Sequence, residues 1–186
     1  MPESPRLPWW LVAASTALAL GAAVGTYVVL DDDPEPSATT VSLTPGDTVD
    51  PEEATFTTFD GVEVPLSSLD GAPTVVNFFA STCAPCVKEM PAIEEVYQEL
   101  GSEVAFLGLA VQDRTEDAAA LVDQTGVTYP TALDQDGAVL TELGAGTLLP
   151  TTVLLDEEGA VVATHTGELD AHDLRAMLAD DLGVGS

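Results

Sequence analysis

Two cysteines, Cys83 and Cys86, stand three apart in the stretch NFFASTCAPCVKEMP over residues 77–91, and the 186-residue chain has no others. This spacing admits three chemistries: part of a metal site, a structural staple, or a working redox pair. A closed zinc site takes four ligands. A second cysteine pair is absent, and the only histidines, His165 and His172, lie late in the chain without ligand spacing. No metal is therefore expected, and the histidines read as a strand residue and a helix-start surface residue. A staple between residues three apart closes a tiny loop, where cross-linking stabilises least. The redox pair is the reading that the neighbouring residues support.

A redox pair needs one accessible, activated sulfur and a second within bonding reach. The apolar run TVVNFF (residues 74–79) has the character of a strand buried on both faces. A helix beginning at Cys83 would follow it, with the stripe Ile93, Val96, Tyr97 and Leu100 facing the core and Gly101 closing it. Cys83 then sits at the helix N-terminus, where unpaired N–H groups and the helix dipole stabilise a thiolate, the attacking species. Pro85 falls in the first turn, where its missing N–H costs nothing. Cys86, one turn on, is placed to resolve a mixed disulfide. Pro91 lies deeper and is expected to kink the helix.

The rest of the domain follows from periodicity. Phe56–Phe59, the turn Asp60-Gly61 and Val62–Leu66 read as a hairpin. EVAFLGLAV (103–111) is a second buried strand. TEDAAALVDQTG (115–126) is a helix with Thr115 as N-cap candidate and Gly126 at its end. TTVLLD and VVATH are strands joined across Asp156–Gly159, and Leu174, Met177, Leu178 and Leu182 mark a closing amphipathic helix. A hairpin, then β-α-β-α, then a hairpin and a helix imply an α/β sheet with crossovers and antiparallel additions.

The text VVNFFASTCAPCVKEMPAIEEV, followed by PTTVLLDEEGAVVATHTGEL, resembles the thioredoxin superfamily. More narrowly, it resembles the membrane-anchored TlpA/ResA-like and DsbE-like thiol-disulfide oxidoreductases, over about residues 54–182. The resemblance implies a thioredoxin-like fold with an N-terminal β-hairpin extension. It implies Cys83 as nucleophile, Cys86 as resolving thiol, and no cofactor beyond their disulfide. It implies a cis proline at Pro150, with Leu149 before it offering its backbone to an extended substrate. Glu89 matches an acidic residue of this branch and, one turn past Cys86, is a candidate proton relay. Two positions depart from the wider pattern: Asn77 stands where thioredoxins carry a buried Asp, and Thr82 where the family usually has Trp. The implied partners are protein thiols and disulfides, apocytochrome c among them, and a membrane electron donor or acceptor. Two rivals differ in class. A peroxiredoxin-like peroxidase would have Thr where Ala80 stands, and a thioredoxin-fold interaction module would keep the cysteines as an inert bridge.

Upstream of this domain, Trp9–Leu30 carries no charge. As a helix it would be about 33 Å long, enough to cross a bilayer. Arg6 precedes it and Asp31–Asp33 follow, so the positive-inside rule orients the remainder outside the cytoplasm. The expected layout is a short cytoplasmic N-terminus (1–8), a transmembrane anchor (9–30), an acidic Pro/Ser/Thr-rich tether (31–54) and the thioredoxin-like domain (55–186). A cleaved signal peptide with a site at Ala17-Leu18-Ala19 is the alternative; the apolar run exceeds a usual signal core. Four basic residues (Arg6, Lys88, Arg114, Arg175) against 32 acidic ones give a formal net charge of −28. Nucleic acid is excluded as a partner, because phosphate recognition needs Lys and Arg.

Overall fold

The computed structural model describes residues 55–69 and 71–185. The expected anchor and tether lie outside these residues. No helix among the described residues is long and apolar enough to cross a membrane.

The described strands are β1 (Thr55–Thr57), β2 (Glu63–Pro65), β3 (Thr74–Phe79), β4 (Ala105–Val111), β5 (Thr131–Asp134), β6 (Thr151–Leu155) and β7 (Val161–Thr166). They form one sheet in the order β2-β1-β5-β4-β3-β6-β7. β3 is central: it pairs parallel with β4 and antiparallel with β6, and all six of its residues are buried. Its near-continuous apolar sequence is what a strand covered on both faces requires. The helices are α1 (Ala84–Leu100), α2 (Thr115–Thr125), α3 (Ala138–Glu142) and α4 (Ala171–Leu182).

Alternation along β3 divides the core in two. Val75 and Phe79 pack with Cys86, Met90, Ile93 and Val96 of α1 and with Leu174 and Leu178 of α4. Val76 and Phe78 pack on the opposite face with Val139 and Leu140 of α3 and with Phe56 and Leu66. Arg175 of α4 ties the first layer together, with Nη2 donating to Glu95 and Glu99 of α1 at 2.7 Å each.

Several boundaries differ from the sequence reading. β4 begins at Ala105 rather than Glu103. Arg114, not Thr115, is the N-cap of α2; it has extended backbone angles and no side-chain cap, and Thr115 is already the first helical residue. Gly101 does end α1, with φ −64°, so no left-handed conformation requires glycine there. A Cβ at Gly101 would lie 2.6 Å from the Tyr97 carbonyl oxygen and 2.8 Å from its ring, so close approach is the reason. α1 runs through Pro91 as one element. β5 and α3 have no counterpart in the sequence reading. At four and five residues they are too short to show a period. α3 is held by tertiary chemistry: the buried Asp134 carboxylate at the end of β5 accepts from the N–H groups of Val139 (3.2 Å) and Leu140 (2.9 Å).

Candidate active site

The site lies where β3 runs into α1. Cys83 is the N-cap of α1, with φ −92° and ψ 99°, and its Sγ accepts from the Cys86 N–H at 3.3 Å. Pro85 occupies the first turn, and no acidic residue stands there to oppose a thiolate. The two sulfurs are bonded. Their exposure differs: Cys83 is half-buried, whereas Cys86 is wholly enclosed. An incoming sulfur therefore reaches Cys83, and Cys86 can react only with its neighbour.

The loop before Cys83 is clamped from β4. Asp113, just past the end of β4, accepts from the Ser81 backbone N–H and from Ser81 Oγ at 2.8 Å. The Cys83 N–H in turn donates to the Ala80 carbonyl at 3.0 Å. Gln112, immediately before Asp113, has φ 51°, in the left-handed region, so the chain turns sharply where the clamp is made.

Glu89 is fully buried on the face of α1 that lies over the sheet. Its Oε2 accepts from Asn77 Nδ2 at 3.1 Å, its Oε1 lies 3.5 Å from Thr152 Oγ1, and the Leu169 N–H also donates to it. Burial pushes its carboxyl up to about 7, against the lowering effect of those hydrogen bonds, and the charge of Glu168 adds to the rise. A carboxyl poised there can take or return a proton near neutrality. Sequence spacing put Glu89 one turn past Cys86, but burial is a property of the sheet beneath it.

Leu149 and Pro150 enter β6 from the neighbouring position. The Leu149–Pro150 bond is cis. Thr151 is opposite Phe78, so the proline approaches the end of β3 from which the Cys83 loop departs. Leu149 packs at the edge of the same apolar cluster as Cys83 and the enclosed Cys86. The Leu149 backbone makes no backbone hydrogen bond among the described residues, which leaves it available to an extended segment. Thr82 is exposed and lines a groove of about 550 Å³ with Ala84 and Val87 of α1 and Leu121 and Gln124 of α2.

The residues that sequence reasoning did not assign to the site are Asp113 and Thr152. Nothing local marks them: Thr152 arrives through the pairing of β6 with β3, and Asp113 from the turn after β4. Lys88 is exposed, 3.7 Å from Glu168. Among the described residues, Asp170, His172 and Asp173 bring ligand atoms within 4.8 Å of one another, but all are exposed and Asp170 already caps α4.

The Redoxin family matches residues 44–180. The thiol-disulfide oxidoreductase ResA of Bacillus anthracis is 34% identical over 126 residues, covering 66% of this chain and 70% of the relative. The ResA of Geobacillus thermodenitrificans is 30% identical over 164 residues, covering 87% and 89%. The chain belongs to the Redoxin family. It is a thiol-disulfide oxidoreductase of the ResA-like branch of the thioredoxin superfamily, as the resemblance carried by VVNFFASTCAPCVKEMPAIEEV and PTTVLLDEEGAVVATHTGEL implied. Its fold is similar to DsbF of Mycobacterium tuberculosis, at a TM-score of 0.64 and 26% identity over 72% of this chain and 98% of that one.

Proposed function

We propose that this oxidoreductase is a membrane-tethered reductase of secreted proteins, working outside the cytoplasm, with a disulfide of apocytochrome c among its substrates. The observation that carries the exchange chemistry is the contrast between the two sulfurs. Cys83 is reachable at a helix N-terminus, and Cys86 is enclosed behind it. Support for the tether comes from the uncharged run 9–30 flanked by Arg6 and Asp31–Asp33.

In the reducing direction the Cys83 thiolate attacks one sulfur of a substrate disulfide. The substrate S–S bond breaks, its other sulfur leaves as a thiolate and takes a proton, and a mixed disulfide to Cys83 remains. Glu89 as carboxylate accepts the Cys86 thiol proton, and the Cys86 sulfur attacks Cys83 Sγ. The second substrate sulfur leaves, taking its proton from Glu89 or solvent. Two electrons have passed, the substrate is a dithiol, and Cys83–Cys86 is a disulfide. A membrane dithiol donor returns it to the reduced state. Leu149 supplies the backbone against which an extended substrate pairs, and Pro150 holds it there.

The test is capture. Cys86→Ala in the full chain is expected to retain substrate on Cys83 as a reducible adduct, and Cys83→Ala to retain none. Recovery of secreted cysteine proteins in the adduct supports the reading. If Cys86→Ala captures nothing while the wild type also fails to reduce insulin, the cysteines are an inert bridge. Fractionation with external protease tests the topology: recovery of the intact domain from the soluble cytoplasmic fraction would refute the tether.

A further inference from the structure

Asn77 occupies the middle of the central strand. Its neighbours across the sheet form a row on the α1 face: His165 of β7 opposite Thr152 of β6, Thr152 opposite Asn77, Asn77 beside Gly108 of β4, and Gly108 beside Thr131 of β5. Asn77 and Thr152 are both buried. Asn77 Nδ2 donates twice, to Glu89 Oε2 and to Thr152 Oγ1, each at 3.1 Å. Its other amide atom, Oδ1, is buried and has no hydrogen-bond partner.

A buried polar atom without a partner is costly, and proteins rarely keep one without cause. Here the cause lies in the partner. A carboxylate offers only acceptors, so it calls for the NH₂ side of the amide. A carboxylic acid carries an O–H, which calls for a carbonyl. The asparagine amide is close to two-fold about its last torsion, so a half-turn exchanges Nδ2 and Oδ1 in the same space. The hydroxyl of Thr152 is both donor and acceptor and can reverse with it.

We infer that Asn77 is a positioning residue that hydrogen-bonds Glu89 in both of its protonation states, presenting its NH₂ to the carboxylate and, after a half-turn, its carbonyl to the carboxylic acid. Thr152 reverses its own hydrogen bond in the same step. The idle Oδ1 is the acceptor held for the protonated state. This rests on Glu89 being the proton carrier of the exchange. It explains why a non-titrating amide suits this position: an aspartate would compete with Glu89 for one proton, and an apolar residue would leave the carboxylate bare.

Other charged and titratable groups face Glu89. Glu168 and the Leu169 N–H approach from the β7–α4 loop, and Lys88 on α1 pairs with Glu168. His165 stands beyond Thr152 on β7. The Tyr129 ring lies against the position a Gly108 side chain would take, and burial raises its phenol far above its ordinary value. Cys83 and Cys86 do not titrate while bonded to one another.

The experiment follows the Asn77 side-chain amide and the Glu89 carboxyl carbon by NMR. It uses the oxidised full chain in micelles, between about pH 5 and about pH 9, bracketing the Glu89 value of about 7. The Asn77 amide signals are expected to titrate with the Glu89 midpoint. They should be pH-invariant in Glu89→Gln and unchanged in His165→Gln. Asn77→Ala is expected to raise the Glu89 midpoint by less than about one pH unit, since the amide bonds both forms and only the extra strength of the bond to the charged form is lost. An Asn77 amide that stays constant while Glu89 titrates overturns the inference, and so does a rise of about two pH units or more in a folded Asn77→Ala, which would mean that the amide serves the carboxylate alone. The wild-type readout needs no variant to fold. It is also separate from Glu89's role in exchange, which fails only if Glu89→Gln reduces insulin at the wild-type rate.

Discussion

Asp113 holds Ser81 through two hydrogen bonds, one to its backbone N–H and one to Oγ at 2.8 Å. The two residues are 32 apart, and the contact fastens the start of the cysteine loop to the end of β4. The clamp adds to the Cys83 N–H to Ala80 carbonyl bond in holding the loop from which Cys83 caps α1. Asp113→Ala is expected to lower stability by roughly 1.5–3 kcal/mol, the worth of one hydrogen bond to a charged group, because water replaces part of the pair at this partly exposed site. It should also slow exchange severalfold by loosening Cys83. Denaturant unfolding and insulin reduction read the two effects; an unchanged exchange rate would show that the loop is rigid without its clamp.

Glu89 couples stability to pH. Its folded-state value of about 7 lies above the ordinary 4.5, so the native state holds the proton more tightly than the unfolded chain. The stabilisation from the neutral form is complete below about pH 4.5. It declines as pH rises toward 7 and stays lost above that. The swing is on the order of 3 kcal/mol at most. Glu89→Gln should remove it, so unfolding of the variant at about pH 5 and about pH 8 will differ by less than in the wild type. Parallel losses in both proteins would show that Glu89 does not titrate in this window.

Thr82 decides what fits beside Cys83. Thr82→Trp is expected to narrow the groove between α1 and α2, whose volume is about 550 Å³. Exchange with a small dithiol should be nearly unchanged, whereas exchange with a folded protein substrate should show an altered KM. Equal effects on both substrates would place the disturbance at the sulfurs rather than in the groove.

Gly108 makes room for the ring of Tyr129. A Cβ there would stand 3.0 Å from that ring, 3.1 Å from Thr131 and 3.2 Å from Phe79, in a packed layer beside Asn77. Gly108→Ala is expected to cost about 1–3 kcal/mol through overpacking, measured by thermal or denaturant unfolding. A neutral result would mean that the Tyr129 ring shifts freely.

The redox pair, its helix start and the strand that feeds it are all legible in the amino-acid text. Each is a local pattern: a spacing of three, a proline in a first turn, an apolar run of six. The long helices are legible too, since their apolar stripes repeat every three or four residues. Thr131–Asp134 and Ala138–Glu142 were not legible, because segments of four and five residues carry no period. Which polar residues gain a chemical environment depends on how the elements pack. Glu89 is marked in sequence only by the family resemblance and by its place one turn past Cys86, not by anything that would raise its carboxyl. It acquires a raised carboxyl because α1 lays it over the sheet at Asn77, twelve residues earlier, and Thr152, 63 residues later. The physical reason is that desolvation and hydrogen bonding depend on what surrounds a group in space. Strand register, which no local pattern encodes, assembles that surrounding from three separate parts of the chain.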